Sequence, residues 1–135
     1  MGEQKLGNLM TSWITICDTC KRSDWEDRGA NQTDGEILAG LIEKAAKDVP
    51  NLRTRRVSCL MGCKAGCNVA VQGSGKLNYT IGDFEPLEEA AKAIVGYATL
   101  HAASATGQVP YREWPQEIKG HFVTRHPPFP EGDDA

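Results

Sequence analysis

Short apolar runs alternate with two amphipathic segments along the chain, and their order predicts an α/β fold. Residues 13–17 form a short, β-branched apolar run bounded by polar residues, which is typical of a buried strand. Thr33 is followed three residues later by Glu36, a capping-box pattern that begins a helix, and Pro50 marks where that helix has ended. Apolar residues recur at helical spacing between these limits: Ile37, Leu38, Leu41, Ile42 and Ala45.

Three further strands and a second helix are predicted after Pro50. A strand over residues 52–59 runs into a cysteine-rich segment, and strands over 68–72 and 76–82 form a hairpin. Pro86 stands at a position favoured in the first turn of a helix. The apolar face of that helix consists of Leu87, Ala90, Ala91, Ile94, Val95 and Ala98. The pattern predicts a mixed sheet of about four strands with two main helices, and the helical crossover makes the first two strands parallel.

These elements divide the chain into three parts. Residues 1–12 are polar and are expected to form a flexible lead-in, and residues 13–107 carry all the predicted elements. The segment 108–135 is expected to be an extended tail, because it contains five of the seven prolines. A chain of 135 residues is long enough to bury one core without help from disulfides.

Composition and charge narrow the classes of partner. The formal net charge is −3, so the chain lacks the basic surface that nucleic acids require. No run of apolar residues is long enough for a signal peptide or a membrane span. We therefore expect a cytoplasmic protein, in which thiols are kept reduced and clustered cysteines serve metal or redox chemistry.

Five cysteines form two groups, and each group follows a predicted strand. Cys17 and Cys20 come at the end of the first strand, and Cys59, Cys63 and Cys67 come at the end of the second. If these strands pair in parallel, both groups meet at one edge of the sheet. The pattern therefore favours one site of four thiolates over two separate pairs.

The spacing of the second group helps to choose among the groups that thiolates bind. Zinc ribbons favour two residues between ligands, whereas here three residues separate each cysteine from the next. The wider spacing suits an iron–sulfur cluster with two irons, each bound by two thiolates. Gly62 and Gly66 would let backbone amides approach the sulfur atoms. A zinc site and unligated buried thiols remain alternatives.

A dithiol redox pair is a further alternative for Cys17 and Cys20. Two cysteines separated by two residues after a strand are typical of oxidoreductases, where a helix N-terminus lowers the pKa of the first thiol. Residues 21–24 do not begin a helix with an apolar face, however, and this hypothesis leaves the other three cysteines unexplained.

The second cysteine group resembles the corresponding segment of thioredoxin-like [2Fe-2S] ferredoxins. In those proteins three residues separate two ligands, a glycine follows three residues after the second ligand, and a strand begins soon afterwards. Cys59, Cys63 and Gly66 match that pattern, and residues 69–71 match the strand. The resemblance implies a thioredoxin-like fold.

The same resemblance implies a set of ligands. Those ferredoxins take their other two ligands from the loop after the first strand, which matches Cys17 and Cys20, although the spacing here is closer than in most of them. The implied ligands of a [2Fe-2S] cluster are therefore Cys17, Cys20, Cys59 and Cys63. Cys67 falls where the family usually has proline, and because it also lies at the required spacing from Cys63 it remains a substitute ligand.

The chain as a whole also resembles an uncharacterised bacterial family of small predicted metal-binding proteins. The shared features are both cysteine groups, the hairpin segment at residues 75–80 and the end of the tail at residues 125–128. Genes of that family often accompany genes for cobalamin synthesis or cobalt handling. This resemblance covers roughly residues 13–130.

The expected function is one-electron transfer to a redox partner protein, without enzymatic activity, since the sequence has no hydrolase triad or nucleotide fingerprint. The first alternative is a zinc- or cobalt-binding protein in metal trafficking or cobalamin-related cofactor assembly. The second alternative is a dithiol oxidoreductase. Thioredoxin-like ferredoxins often form dimers, so a homodimer is one arrangement that the resemblance allows.

Arg53, Arg55, Arg56 and Lys64 place positive charge near the second cysteine group. These side chains would offset the charge of a cluster or bind an acidic redox partner. Alternatively, they belong to the solvated face of an edge strand.

Overall fold

A five-stranded mixed sheet, covered by two main helices, organises the protein in a computed structural model that describes residues 11–22, 25–28, 31–61 and 66–128. The strands are β1 (Ser12–Cys17), β2 (Leu52–Val57), β3 (Val69–Gln72), β4 (Asn78–Ile81) and β5 (Phe122–His126). The helices are α1 (Trp25–Arg28), which is a single turn, α2 (Asp34–Ala46) and α3 (Glu88–Ala103). Short 3-10 turns at Tyr111–Glu113 and Gln116–Ile118 precede β5.

The strand order is β2-β1-β3-β4-β5, with β1 near the centre. β1 pairs in parallel with β2 and antiparallel with β3, and α2 supplies the crossover from β1 to β2. Cys17 lies opposite Val57, and the amide of Asp18 continues the pairing by donating to the carbonyl of Val57 at 3.0 Å. The predicted parallel pair is thus confirmed, and the carboxyl ends of β1 and β2 lie at one edge.

The sheet has five strands, so the predicted number of about four was wrong. The additional strand, β5, lies in the segment that was expected to be an extended tail, and it pairs antiparallel with β4. The side chains after Phe122 are exposed in the structure. Apolar and polar residues do not alternate along this strand, so the sequence pattern does not indicate it. Phe122 anchors it, because its ring packs edge-on against Tyr79 and Tyr97.

The two faces of the sheet differ in what they contact. Ile14 and Ile16 are fully buried in the core that the sheet shares with the helices. Ser12 lies on the same face of β1, where its hydroxyl contacts His101 of α3. The opposite face of β1 carries Thr15, which is buried beneath polar side chains of the neighbouring strands.

The predicted capping box at the start of α2 is confirmed. The Thr33 hydroxyl accepts a hydrogen bond from the Glu36 amide at 3.0 Å, and the Glu36 carboxylate accepts one from the Thr33 amide at 3.1 Å. Thr33 Oγ1 also donates to the carbonyl of Asp18. The helix start is therefore tied to the loop that follows β1.

A buried polar network at the other end of β1 joins the sheet to α3. His101 is fully buried, with Nδ1 at 2.6 Å from Ser12 Oγ and Nε2 at 2.7 Å from the carbonyl of Leu77. Because a carbonyl only accepts, Nε2 carries the hydrogen and Nδ1 accepts from Ser12. Lys76, also fully buried, donates to the carbonyls of His101 and Ala102 at 3.0 and 2.7 Å and so stabilises the C-terminal end of α3.

Stability is predicted to depend on pH through His101. Burial, together with the positive charge of Lys76, holds the pKa of His101 below its ordinary value of 6.5. At a pH between the two pKa values, the unfolded chain binds a proton that the folded chain excludes. The free energy of unfolding therefore falls as the pH drops below about 6.5, and it continues to fall until the pH passes the lower pKa of the folded state.

Urea unfolding between pH 5 and pH 8 tests this expectation. Replacement of His101 by Gln should flatten the pH dependence in that window, whereas replacement of the exposed His126 should leave it unchanged. Identical pH profiles for wild type and His101→Gln would contradict the assignment.

Candidate functional site

Three thiols are buried at the edge of the sheet where β1 ends. Cys17 is the last residue of β1, Cys20 lies three residues later, and Cys67 comes two residues before β3. Their exposed fractions are 3% for Cys17, 6% for Cys20 and 0% for Cys67. None of the three forms a disulfide within the described part of the chain.

Cys17 is surrounded by hydrogen-bond donors. Burial raises the pKa of its thiol, but hydrogen bonds to its sulfur from Cys20, Thr19 and the Leu60 backbone outweigh that effect and lower the pKa below its ordinary value. Thr19 Oγ1 is 3.6 Å from Cys17 Sγ and donates its single hydrogen to the carbonyl of Ser58, while the Thr19 backbone also hydrogen-bonds to Cys17. The loops after β1 and β2 therefore converge on the sulfur of Cys17.

Cys20 is the more strongly perturbed member of this pair. Burial, reinforced by its hydrogen bond to Cys17 and by the negative charge of Cys17 and Cys67, raises the pKa of the Cys20 thiol to about 12. The side-chain amide of Asn68 donates to Cys20 Sγ at 3.2 Å. The opposite pKa shifts mean that, of these two adjacent thiols, Cys17 loses its proton at the lower pH.

Cys67 is joined to this group by its neighbours in the chain. Its backbone exchanges hydrogen bonds of 3.5 and 3.4 Å with Phe84, which extends the pairing beyond the ends of β3 and β4. The Arg22 guanidinium donates to the carbonyls of Phe84 and Gly66 at 2.7 and 3.4 Å. Arg22 thereby links the loop that carries Cys20 to the segment that carries Cys67.

Cys59 lies at the outer side of the same edge. It is exposed, and its sulfur accepts a hydrogen bond of 3.2 Å from the amide of Met61, whose side chain is 87% exposed. The backbone of Leu60, the next residue, donates to the sulfur of Cys17. Cys59 is therefore adjacent in sequence to a residue that contacts the buried thiols. Cys63, together with Gly62 and Lys64, lies outside the described residues.

The structure thus brings Cys17, Cys20 and Cys67 together and leaves Cys59 beside them at the surface. Across 11–22, 25–28, 31–61 and 66–128, no group of three or more His, Cys, Asp or Glu side chains has an arrangement that could hold a metal ion. The proposed ligand set includes Cys63, which those ranges omit.

Asn68 and Gly35 contribute to the site although the sequence pattern did not single them out. The carbonyl of Asn68 accepts from the Cys17 amide at 3.2 Å. A Cβ atom at Gly35 would lie 2.1 Å from the carbonyl oxygen of Cys17, so only glycine allows α2 to begin this close to β1. The Gly35 amide also donates to the carbonyl of Cys20 at 2.9 Å. Glycine inside a capping box was the signal that could have revealed this close approach.

Two of the arginines near the cysteines have partners within the fold. Arg55 Nε donates to Thr15 Oγ1 at 2.7 Å, and Arg56 forms two hydrogen bonds of 2.9 and 2.7 Å with the Glu43 carboxylate. Arg53 is exposed. The contacts of Arg55 and Arg56 explain their presence on an edge strand, and binding of an acidic partner stays a prediction.

The part of the chain that matches a known family spans nearly the same residues as the strands and helices of the fold. Residues 14–128 match the family model of a protein of unknown function, DUF1636. No curated protein and no solved structure gave a match. Among the described residues, none of the helices combines the length and apolar character needed to cross a membrane.

The burial of the thiols predicts an order of reactivity in the metal-free, reduced protein. Iodoacetamide should modify Cys59 about tenfold or more faster than Cys17, Cys20 and Cys67, because the buried thiols react only after local opening. Mass spectrometry of tryptic peptides measures the rates, and fragmentation of peptides 6–21 and 57–64 separates Cys17 from Cys20 and Cys59 from Cys63.

Unfolding in urea supplies the control for this measurement, since it should abolish the differences that arise from burial. Modification of Cys67 as fast as that of Cys59 in the native protein would contradict the buried position of Cys67.

Proposed function

We propose that this chain, which belongs to the DUF1636 family through residues 14–128, is a small one-electron carrier that binds a [2Fe-2S] cluster on a thioredoxin-like fold. The observation that carries the proposal is the set of N–H donors aimed at cysteine sulfur atoms at one sheet edge. Leu60, Asn68 and Met61 donate to the sulfur atoms of Cys17, Cys20 and Cys59, respectively.

The order of the first four strands supports the thioredoxin-like part of the proposal. The parallel pair β1 and β2, the crossover α2 and the antiparallel strands β3 and β4 form a sheet of order β2-β1-β3-β4, with α3 packed against α2 and β1. This matches the mixed sheet that the resemblance implies. β5 extends that sheet at the edge formed by β4.

The donor set fits an iron–sulfur cluster chemically. A neutral thiol is a weak hydrogen-bond acceptor, so N–H donors around sulfur contribute most when that sulfur carries negative charge. Thiolates are the ligands of [2Fe-2S] clusters, and N–H···S hydrogen bonds stabilise the charge that the ligands carry. The proposed ligands are Cys17, Cys20, Cys59 and Cys63. A bound cluster would supply reversible one-electron transfer.

The residues of the chain itself hold and shield this site. Arg22 fixes the loop of Cys20 to the segment before β3 and places a positive charge beside it. Cys17 and Cys20 lie on the buried side, whereas Cys59 and Thr19 are exposed. A redox partner protein would therefore approach from the side of Cys59, where the distance for electron transfer is shortest.

A dithiol oxidoreductase is the second candidate, and one observation favours it. Cys17 and Cys20 are hydrogen-bonded, with a lowered pKa on the first thiol and a raised pKa on the second, as in a nucleophilic and resolving pair. Against this candidate, Cys17 is only 3% exposed, and attack on a protein disulfide requires access to its sulfur.

Metal analysis tests the proposed function directly. Protein purified without oxygen is expected to contain two irons and two sulfides per chain, on the basis of the four-thiolate site. Its visible absorption should bleach on reduction with dithionite. Cys17→Ser, prepared identically, should lose most of the iron and the colour.

Each other outcome assigns a different function. Zinc or cobalt without visible iron–sulfur absorption would replace the proposal with a metal-handling protein. Absence of any metal, combined with reduction of insulin disulfides that depends on Cys17, would replace it with the dithiol oxidoreductase.

Single serine variants test the proposed ligands. Cys59→Ser is expected to lower the iron content more than Cys67→Ser, because the Cys59 sulfur receives the Met61 amide and the proposed ligand set includes Cys59 but not Cys67. Cys63→Ser is expected to behave like Cys59→Ser.

Iron and sulfide per chain, measured beside a thermal unfolding curve, separate loss of ligation from loss of folding. If Cys67→Ser lost the iron while Cys63→Ser kept it, Cys67 would replace Cys63 in the ligand set.

A further inference from the structure

Asn68 is a fully buried polar residue at the centre of the thiol site. It directly follows Cys67 and precedes β3, whose next residues Val69, Ala70 and Val71 are all apolar and buried. Burial of a carboxamide is costly unless its polar atoms make hydrogen bonds. An asparagine at this position therefore needs a specific partner, and its side-chain amide has one in the sulfur of Cys20.

Asn68 contacts both cysteines of the first pair. Its Nδ2 donates to Cys20 Sγ at 3.2 Å, and its backbone also hydrogen-bonds to Cys20. Its carbonyl accepts from the Cys17 amide at 3.2 Å. One residue thus connects the end of β1, the sulfur of Cys20 and the start of β3.

The backbone and side-chain contacts of Asn68 have different requirements. The hydrogen bond from Cys17 uses the main-chain carbonyl, which every residue has. The contact with Cys20 Sγ uses a side-chain N–H donor, which an apolar residue of similar size lacks. The identity of the side chain therefore affects the sulfur, while the connection between β1 and β3 does not depend on it.

We propose that Asn68 is a positioning residue that holds the sulfur of Cys20 and raises the reduction potential of the site through its Nδ2–H···S hydrogen bond. Where the inference concerns the potential of an iron–sulfur cluster, it rests on the proposed function. A donor N–H stabilises sulfur more as the sulfur gains negative charge, which occurs on reduction. Loss of the donor therefore disfavours the reduced state and lowers the potential.

Two substitutions of Asn68 isolate this contribution. Asn68→Leu has a similar volume and removes the donor, and Asn68→Asp has the same shape and replaces the donor with a carboxylate oxygen. Both retain the backbone contacts with Cys17 and Cys20. Ser12→Ala serves as the control, because it removes the hydrogen bond to His101 at the opposite end of β1 and lowers stability without touching the thiol site.

The first measurement is a dye-equilibrated redox titration of the iron-loaded proteins, with iron per chain and thermal unfolding recorded in parallel. Both Asn68 variants are expected to retain iron, because all the proposed ligands remain. Asn68→Leu should shift the midpoint to a more negative potential, and Asn68→Asp should shift it further. Ser12→Ala should keep the wild-type potential despite its lower stability.

An unchanged potential in a folded, iron-loaded Asn68→Leu would overturn the inference. An equal shift in Ser12→Ala would overturn it as well, because the effect would then follow stability and not the contact with sulfur. If Asn68→Leu does not fold, the midpoint potential of the isosteric Asn68→Asp is compared with that of wild type instead, and an unchanged value would overturn the inference.

Failure of the proposed function is recognised separately, because wild type would then contain no iron. In that case the Cys17–Cys20 dithiol couple is equilibrated with a glutathione buffer. The same N–H donor stabilises the reduced pair, so both Asn68 variants should again have a more negative potential. A potential equal to that of wild type would overturn the role of Asn68 independently of iron.

Discussion

Parallel pairing of β1 with β2 is the constraint on which the arrangement of the thiols depends. In a parallel pair both chains leave the sheet at the same edge, so the loops after β1 and β2 begin side by side. Cys17 ends β1, the loop after it carries Cys20, and the loop after β2 carries Cys59. β3 runs antiparallel to β1, which returns Cys67 and Asn68 to that same edge. Three separate segments of sequence therefore reach one site.

The parallel pair in turn requires a crossover helix whose start lies almost against the end of β1. Thr33 caps α2 and also bonds to the carbonyl of Asp18, and Gly35 admits the close approach to Cys17. A side chain at Gly35 would collide with the backbone of β1 and displace the loop that carries Cys20. Local helix-capping chemistry is thus coupled to the position of the thiols, although no capping residue contacts a sulfur atom.

The two ends of β1 use buried polar groups in different ways. At the N-terminal end, the Ser12 hydroxyl donates to His101 Nδ1, and His101 and Lys76 donate to carbonyl oxygen atoms. These hydrogen bonds join the sheet to α3. At the C-terminal end, N–H donors surround sulfur atoms, which are poor acceptors when neutral. The first network is accounted for by the packing of polar groups within a core. The second is the arrangement on which the proposed binding of a cluster rests.

Local sequence determined much of this protein. The capping box at Thr33, the helical periodicities and the apolar runs of β1 and β3 predicted their elements, because each signal lies within a few neighbouring residues. The parallel crossover followed from element order, and it correctly predicted that both cysteine groups begin at one edge.

Only the tertiary structure decided those features that depend on contacts between residues far apart in the chain. β5 has an exposed sequence, so its pairing with β4 and the anchoring of Phe122 had no local signal. Cys67 and Asn68 lie beside Cys20 only because β3 packs against β1, and their burial comes from that packing. Spacing between cysteines shows which thiols belong to one loop. Which sulfur is buried, and which N–H faces it, is decided by backbone segments that are far apart in the chain.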